Sequence, residues 1–207
     1  MQRLVSVVLL STAAVLAILT AAGAAPTERA EGPLAARSAS AVVTNMLSRV
    51  LPAYDNRPNE ARAIVDEAGR VWAFYVAVKD GRYAGAAFES SSDGYNGPIR
   101  VLVGVNSTGS VQAIEIIEQK ETKGLGSRVT EPGFRSQFVG KNIVKTKWRS
   151  KARGGDIDAV TGATVSSDAV AAAVKSGLNV YVKHLDVIRR VVESGAPAVD
   201  MDANNRR

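Results

Sequence analysis

The 207-residue sequence predicts an α+β fold, an antiparallel sheet with flanking helices that follows a single N-terminal transmembrane helix. Three patterns carry the expectation. Residues 4–25 hold no charge, residues 71–118 repeat a hairpin pattern twice, and the chain after residue 164 places apolar side chains at helical spacing.

Leu4 to Ala25 would span roughly 33 Å as a helix at about 1.5 Å per residue, which matches a bilayer core. Ala22-Gly23-Ala24 also fits a signal-peptidase site, so a secreted domain cleaved after Ala24 is the competing reading; the length of the apolar run favours a retained anchor. Arg3 and the amino terminus precede the run. The N-terminus is therefore expected in the cytoplasm, with everything beyond Pro26 across the membrane. The expected divisions are an anchor over 1–25, a polar linker over 26–33, an extracytoplasmic domain over 34–195 and a loose tail over 196–207.

Within the domain, Leu34 to Leu51 carries Val42, Val43, Met46, Leu47 and Val50 near helical spacing and ends by Pro52. VWAFYVAV from Val71, the Asp80-Gly81 turn and RYAGAAFES read as one hairpin. IRVLVGV at 99–105 and VQAIEIIE at 111–118 read as a second, which makes four antiparallel strands. ETKGLG at 121–126 follows the last strand directly, and its glycines permit a backbone to approach a bulky group. Pro132 opens a short helix bearing Phe134 and Phe138, closed by Gly140. Ile157 to Val160 reads as a further strand. Ser166 or Ser167, with Asp168, reads as the N-terminal cap of a long helix running to about Glu193 with Val170, Val174, Leu178, Tyr181, Leu185 and Ile188 on one face.

Composition narrows the chemistry. With no cysteine, one histidine (His184) and scattered Met1, Met46 and Met201, the chain has no set of ligands for a metal, an iron-sulfur cluster or c-type haem. His184 lies deep in the long helix, where a satisfied or exposed histidine is the ordinary outcome. No acid, base or nucleophile constellation for substrate turnover is visible, so no catalytic residue is assigned. A net charge of +6 suits anionic lipid, an acidic partner or nucleic acid, but Lys and Arg read as dispersed without a basic run interleaved with aromatics, which argues against nucleic acid.

The stretch DAVTGATVSS, Asp158 to Ser167, is the densest cluster of hydroxyls. As local grammar it is a plain connection, with Gly162 making a turn and Thr164 or Ser166 capping the helix. The same geometry suits an anion, because helix-initial N–H groups and the positive dipole end favour phosphate.

The pattern D-x-x-[ST]-G-A-[ST], matched by Asp158, Thr161, Gly162, Ala163 and Thr164, resembles the acceptor motif of covalently flavinylated proteins. Together with GYNGPIRVLVGVN at 94–106, KETKGLGS at 120–127 and FVGK at 138–141, in that order, it resembles the RnfG family, the FMN-binding G subunits of Rnf electron-transport complexes, and its relative NqrC of the sodium-pumping quinone reductase. The compact length favours RnfG.

That resemblance implies an electron carrier on the outer, periplasmic face of the inner membrane. It would belong to a ferredoxin:NAD+ oxidoreductase coupled to Na+ or H+ movement, partnered by the complex's other membrane and redox subunits. It implies FMN joined through a phosphodiester bond to Thr164 Oγ1 by a flavin transferase that uses FAD. Asp158, Thr161, Gly162 and Ala163 would shape the acceptor turn or be recognised by that transferase. Tyr95 and the Glu121, Thr122, Gly124 and Leu125 loop would border the ring or ribityl chain, and Lys141 would offset phosphate charge. One departure is Lys123, where the family usually has proline, which is expected to loosen that loop. An anchored assembly subunit with an unflavinylated site is the remaining reading.

Overall fold

The computed structural model describes Val43, residues 45–195 and residues 198–200. The expected anchor, linker and cleavage site lie outside the described residues. Among those described, no helix is long and apolar enough to cross a membrane.

Residues 45–50 form the helical segment α1, which ends before Pro52. Five strands follow: β1 (Arg62–Glu67), β2 (Arg70–Lys79), β3 (Arg82–Asp93), β4 (Pro98–Asn106) and β5 (Val111–Glu118). Each pairs antiparallel with the next. The Asp80-Gly81 corner between β2 and β3 takes positive φ at both residues (50° and 69°), the conformation a two-residue hairpin needs and the reason this sequence signal is strong.

The four expected strands are therefore a subset of the sheet. β1 is additional: Ala63 and Val65 are buried on alternate positions, and the corner to β2 uses Ala68 and Gly69, again both at positive φ. A sixth strand, β6 (Ala198–Asp200), pairs parallel with β1, giving the order β5-β4-β3-β2-β1-β6. That placement corrects the expectation of a wholly loose tail from residue 196. The expected strand at 157–160 is not formed either. Only Ile157 makes a bridge, parallel to Ser150.

One sheet face is covered by α3 (Thr164–Lys183) and α4 (Leu185–Ser194), with the short helix α2 (Pro132–Ser136) beside them. Phe74 and Phe88 meet edge-to-face at 5.5 Å and Tyr181 of α3 stacks on Phe88 at 6.3 Å. Each such ring pair contributes about 0.5–1.5 kcal/mol beyond the area it buries. α3 can lie this close because Gly177 faces Phe88, where a Cβ would stand 2.2 Å from Cε2. The opposite face packs against α1, with Val43, Leu47, Val50 and Leu51 buried on Tyr75, Ala77, Ala87 and Leu102.

The long helix expected through Glu193 is broken at His184. The His184 ring is buried and its Nε2 lies 2.9 Å from Glu67 Oε2 on β1, while Lys183 Nζ pairs with the other Glu67 oxygen at 2.7 Å. A satisfied histidine thus pins the junction to the sheet and turns α4 toward its β1 edge.

Candidate functional site

Three segments that are distant in sequence meet at the N-terminus of α3. The first is the turn after β3, residues 94–97. The second is the loop after β5, and the third is the run 158–166. Between them lies a cleft of about 610 Å³ whose wall includes Tyr95, Glu121, Thr122, Leu125, Gly126 and residues 162–166. That volume lies within the usual range for small-molecule sites.

Glu121 joins the three. It is buried, accepts the backbone N–H of Tyr95 at 3.2 Å and of Asn96 at 2.9 Å, and receives the Ser166 hydroxyl. Burial pushes its carboxyl up, but the hydrogen bonds from Ser166, Asn96 and Tyr95 outweigh burial and hold it below its ordinary value, so it remains ionised. Gly126 is required by the same contact, since a Cβ there would lie 2.5 Å from Ser166 Oγ. Leu125 and Ser127 both donate N–H to Thr122 O, at 3.1 and 3.2 Å, and Gly124 N donates to Ser127 Oγ at 3.0 Å. The ETKGLG loop is closed on itself by these bonds with Lys123 on the outside.

The acceptor run is built differently from its expected capping. The N-cap of α3 is Ala163, with no side-chain cap. Ser166 is committed to Glu121. Ser167 Oγ accepts Val160 N–H at 3.0 Å and donates to Ala163 O at 2.9 Å, so it staples the turn instead of capping the helix. Asp168 accepts Ser150 N–H and pairs with Arg153. The first turn of α3 consequently lines the cleft with no side chain capping its amides, an arrangement that favours an anion. Gly162, at φ +77°, lets the turn pass close to Leu125. Thr164 is half-buried on the cleft wall, while Tyr95 is 75% exposed and Leu125 46% exposed on the rim.

These features fit FMN: an uncapped helix start for the phosphate, a glycine turn for close approach, and an apolar rim for the ring. The expected site residues do not all converge on it. Gly162, Ala163, Thr164, Tyr95, Glu121, Thr122 and Leu125 line the cleft; Gly124 shapes its loop from outside. Asp158 and Thr161 instead border a second hollow of about 330 Å³ on the other side of the acceptor run, with Arg128, Glu131 and Gln137. Lys141 borders neither; its backbone pairs with Val111 at the start of β5.

Gln137 escaped sequence reasoning. Its Oε1 accepts Asp158 N–H at 2.7 Å and its Nε2 donates to Asp158 O at 3.0 Å, gripping the acceptor run by its backbone. Nothing local marks a glutamine just past a short helix for that task.

An FMN-binding domain family model matches residues 94–179, which spans all three segments of the cleft. The G subunit of the ion-translocating oxidoreductase complex of Cereibacter sphaeroides is 32% identical over 161 residues, covering 74% of this chain and 73% of that protein. The chain belongs to the family of G subunits of ion-translocating oxidoreductase complexes. The G subunit of Vibrio parahaemolyticus is 33% identical over 156 residues, covering 70% and 74% of the two chains. Among solved structures, the C subunit of the Na+-translocating NADH-quinone reductase of Parabacteroides distasonis is similar at 27% identity and a TM-score of 0.48, over 56% of this chain and 63% of that one. The five antiparallel strands β1–β5 and their helices thus form an FMN-binding domain of an electron-transport subunit, one part of an oxidoreductase complex.

Proposed function

We propose that the chain carries FMN tethered through a phosphodiester bond to Thr164 Oγ1 and passes electrons between neighbouring redox subunits of an Rnf complex coupled to Na+ or H+ movement. The observation that carries the reading is the pairing of a half-buried threonine hydroxyl with the uncapped start of α3 on one cleft wall. A flavin transferase would transfer FMN from FAD to that hydroxyl, with AMP leaving, and the proton released to solvent.

When bound, FMN supplies the redox chemistry that no side chain here provides. The chain's contribution is position and polarity. The α3 amides would offset phosphate charge, Gly162 would permit close approach, and the Tyr95 and Leu125 rim would help to keep water from the bound group. Asp158 and Thr161, across the acceptor run, fit recognition by the transferase better than contact with bound flavin. The apolar run 4–25 would hold the domain to the outer face of the inner membrane with the N-terminus in the cytoplasm. Lys141 is left as a solvated lysine.

The test is coexpression with the transferase, followed by acid denaturation and gel fluorescence. Wild type is expected to show a fluorescent band and a mass increase of one FMN less water, Thr164→Val neither, and Thr164→Ser a reduced amount. Fluorescence persisting in Thr164→Val would place the tether elsewhere. An uncapped helix start also suits a noncovalent phosphorylated ligand in a secreted domain; a mature chain beginning near Ala25 with no adduct would establish that reading instead.

A further inference from the structure

Between Lys141 and Arg153 the sequence carries six cations and no carboxylate. The expectation that Lys and Arg are dispersed is therefore wrong here. Lys145, Lys147, Arg149, Lys151 and Arg153 alternate with other residues, and all five are exposed, whereas Trp148 and Ser150 between them are buried. Trp148 stacks against Phe138 inside the domain at 6.4 Å, so the strip offers no aromatic face for a nucleic-acid base.

The strip abuts the acceptor run. Lys151 pairs with Asp158 at 2.8 Å and Arg153 with Asp168 at 3.1 Å. Asp156, the other carboxylate nearby, already accepts Lys147 N–H at 2.7 Å. Among the described residues the cationic side chains of Lys145, Lys147 and Arg149 have no carboxylate partner. Val144 stands beside them 88% exposed, the most exposed of the large apolar side chains described. A cationic ridge with an apolar residue at its end has the make-up of a polar interface with a small apolar anchor.

We propose that the strip Val144 to Arg149 docks an acidic face of a neighbouring protein subunit, next to the flavin. The proposal rests on the electron-carrier reading, since a carrier must bring a second cofactor close to its own. A protein fits better than a bilayer because Val144 is the single large apolar side chain exposed on the strip, too little apolar surface to seat in a membrane interface. Lys151 and Arg153, engaged with Asp158 and Asp168, fix the strip's position relative to the acceptor run, leaving the three unpaired cations for the partner.

The test uses the full chain in its assembled complex in native membranes, with Val144 replaced by the photocrosslinker p-benzoylphenylalanine. Irradiation is expected to give an adduct with a protein subunit through a peptide rich in Asp and Glu. The adduct yield should fall several-fold with K145E/K147E/R149E and less with K145Q/K147Q/R149Q, while covalent flavin fluorescence stays constant. A phospholipid adduct, a linked peptide without acids, no adduct, or a yield insensitive to both triple variants would each overturn the proposal. Failure of the flavin reading shows separately, as a parent chain that crosslinks but lacks the fluorescent band.

Discussion

Ser166 donates its hydroxyl proton to the Glu121 carboxylate and thereby ties the first turn of α3 to the loop after β5. The bond occupies the Ser166 hydroxyl, which leaves Thr164 as the candidate for the proposed attachment among the hydroxyl residues of the helix start that line the cleft. Ser166→Ala is therefore expected to keep the covalent flavin while lowering stability by about 1–3 kcal/mol, the usual cost of leaving a buried polar group short of a partner. Gel fluorescence and urea denaturation of the same variant decide this. Loss of the adduct at unchanged stability would mean that the hydroxyl takes part in attachment.

Glu121 also sets a pH dependence. Its folded-state carboxyl lies below its ordinary value of 4.5, so the ionised form is the one folding favours. Its stabilising contribution is present above pH 4.5 and is lost as pH falls through the depressed folded value. Glu67 is also held low, by Lys183 and His184, so the wild-type acid limb mixes several groups. The difference between wild type and Glu121→Gln isolates one of them. Urea midpoints should differ most near neutral pH and converge as the medium becomes acidic; a gap that stays constant across the range would contradict the prediction.

The parts of this fold that sequence made legible are those whose causes are local. Asp80-Gly81 announces its hairpin because those residue types adopt positive φ readily. β1 stayed hidden because its corner places an alanine, Ala68, at positive φ, and alanine carries no such signal. The break at His184 is set by Glu67, 117 residues away, and the Ser166 contact by Glu121, 45 residues away. For the same reason the acceptor motif was readable as a block, yet its division between two hollows was not: the turn at Gly162 sends residues 162–164 to one side and Asp158 and Thr161 to the other.

Gly177 offers a test of packing against propensity. In an exposed helix interior Gly→Ala stabilises by about 1 kcal/mol. Here the added Cβ would stand 2.2 Å from Phe88 Cε2 in a filled core. Gly177→Ala is expected to destabilise by about 1–3 kcal/mol, the common cost of overpacking, and Gly177→Ala with Phe88→Leu to recover part of it. Thermal unfolding of the single and double variants checks both statements. A stabilised single variant would show that α3 does not rest on Phe88 as closely as described.

Gln137 grips the backbone of Asp158 from both sides, six residues before Thr164, the proposed attachment point. Asp158 itself is exposed, so losing the grip removes little burial and folding stability should change by about 1 kcal/mol or less. On the proposed attachment to Thr164, the grip would hold the run 158–164 in one geometry during the transfer, and its loss should appear as a slower reaction. Gln137→Ala is expected to load flavin several-fold more slowly with limiting transferase yet reach the wild-type endpoint with excess. Gln137→Glu, which keeps the acceptor for Asp158 N–H but loses the donor to Asp158 O, should fall between them. The time course of band fluorescence, taken beside urea midpoints, separates this from misfolding. Unchanged loading rates in both variants would assign Gln137 to the scaffold alone.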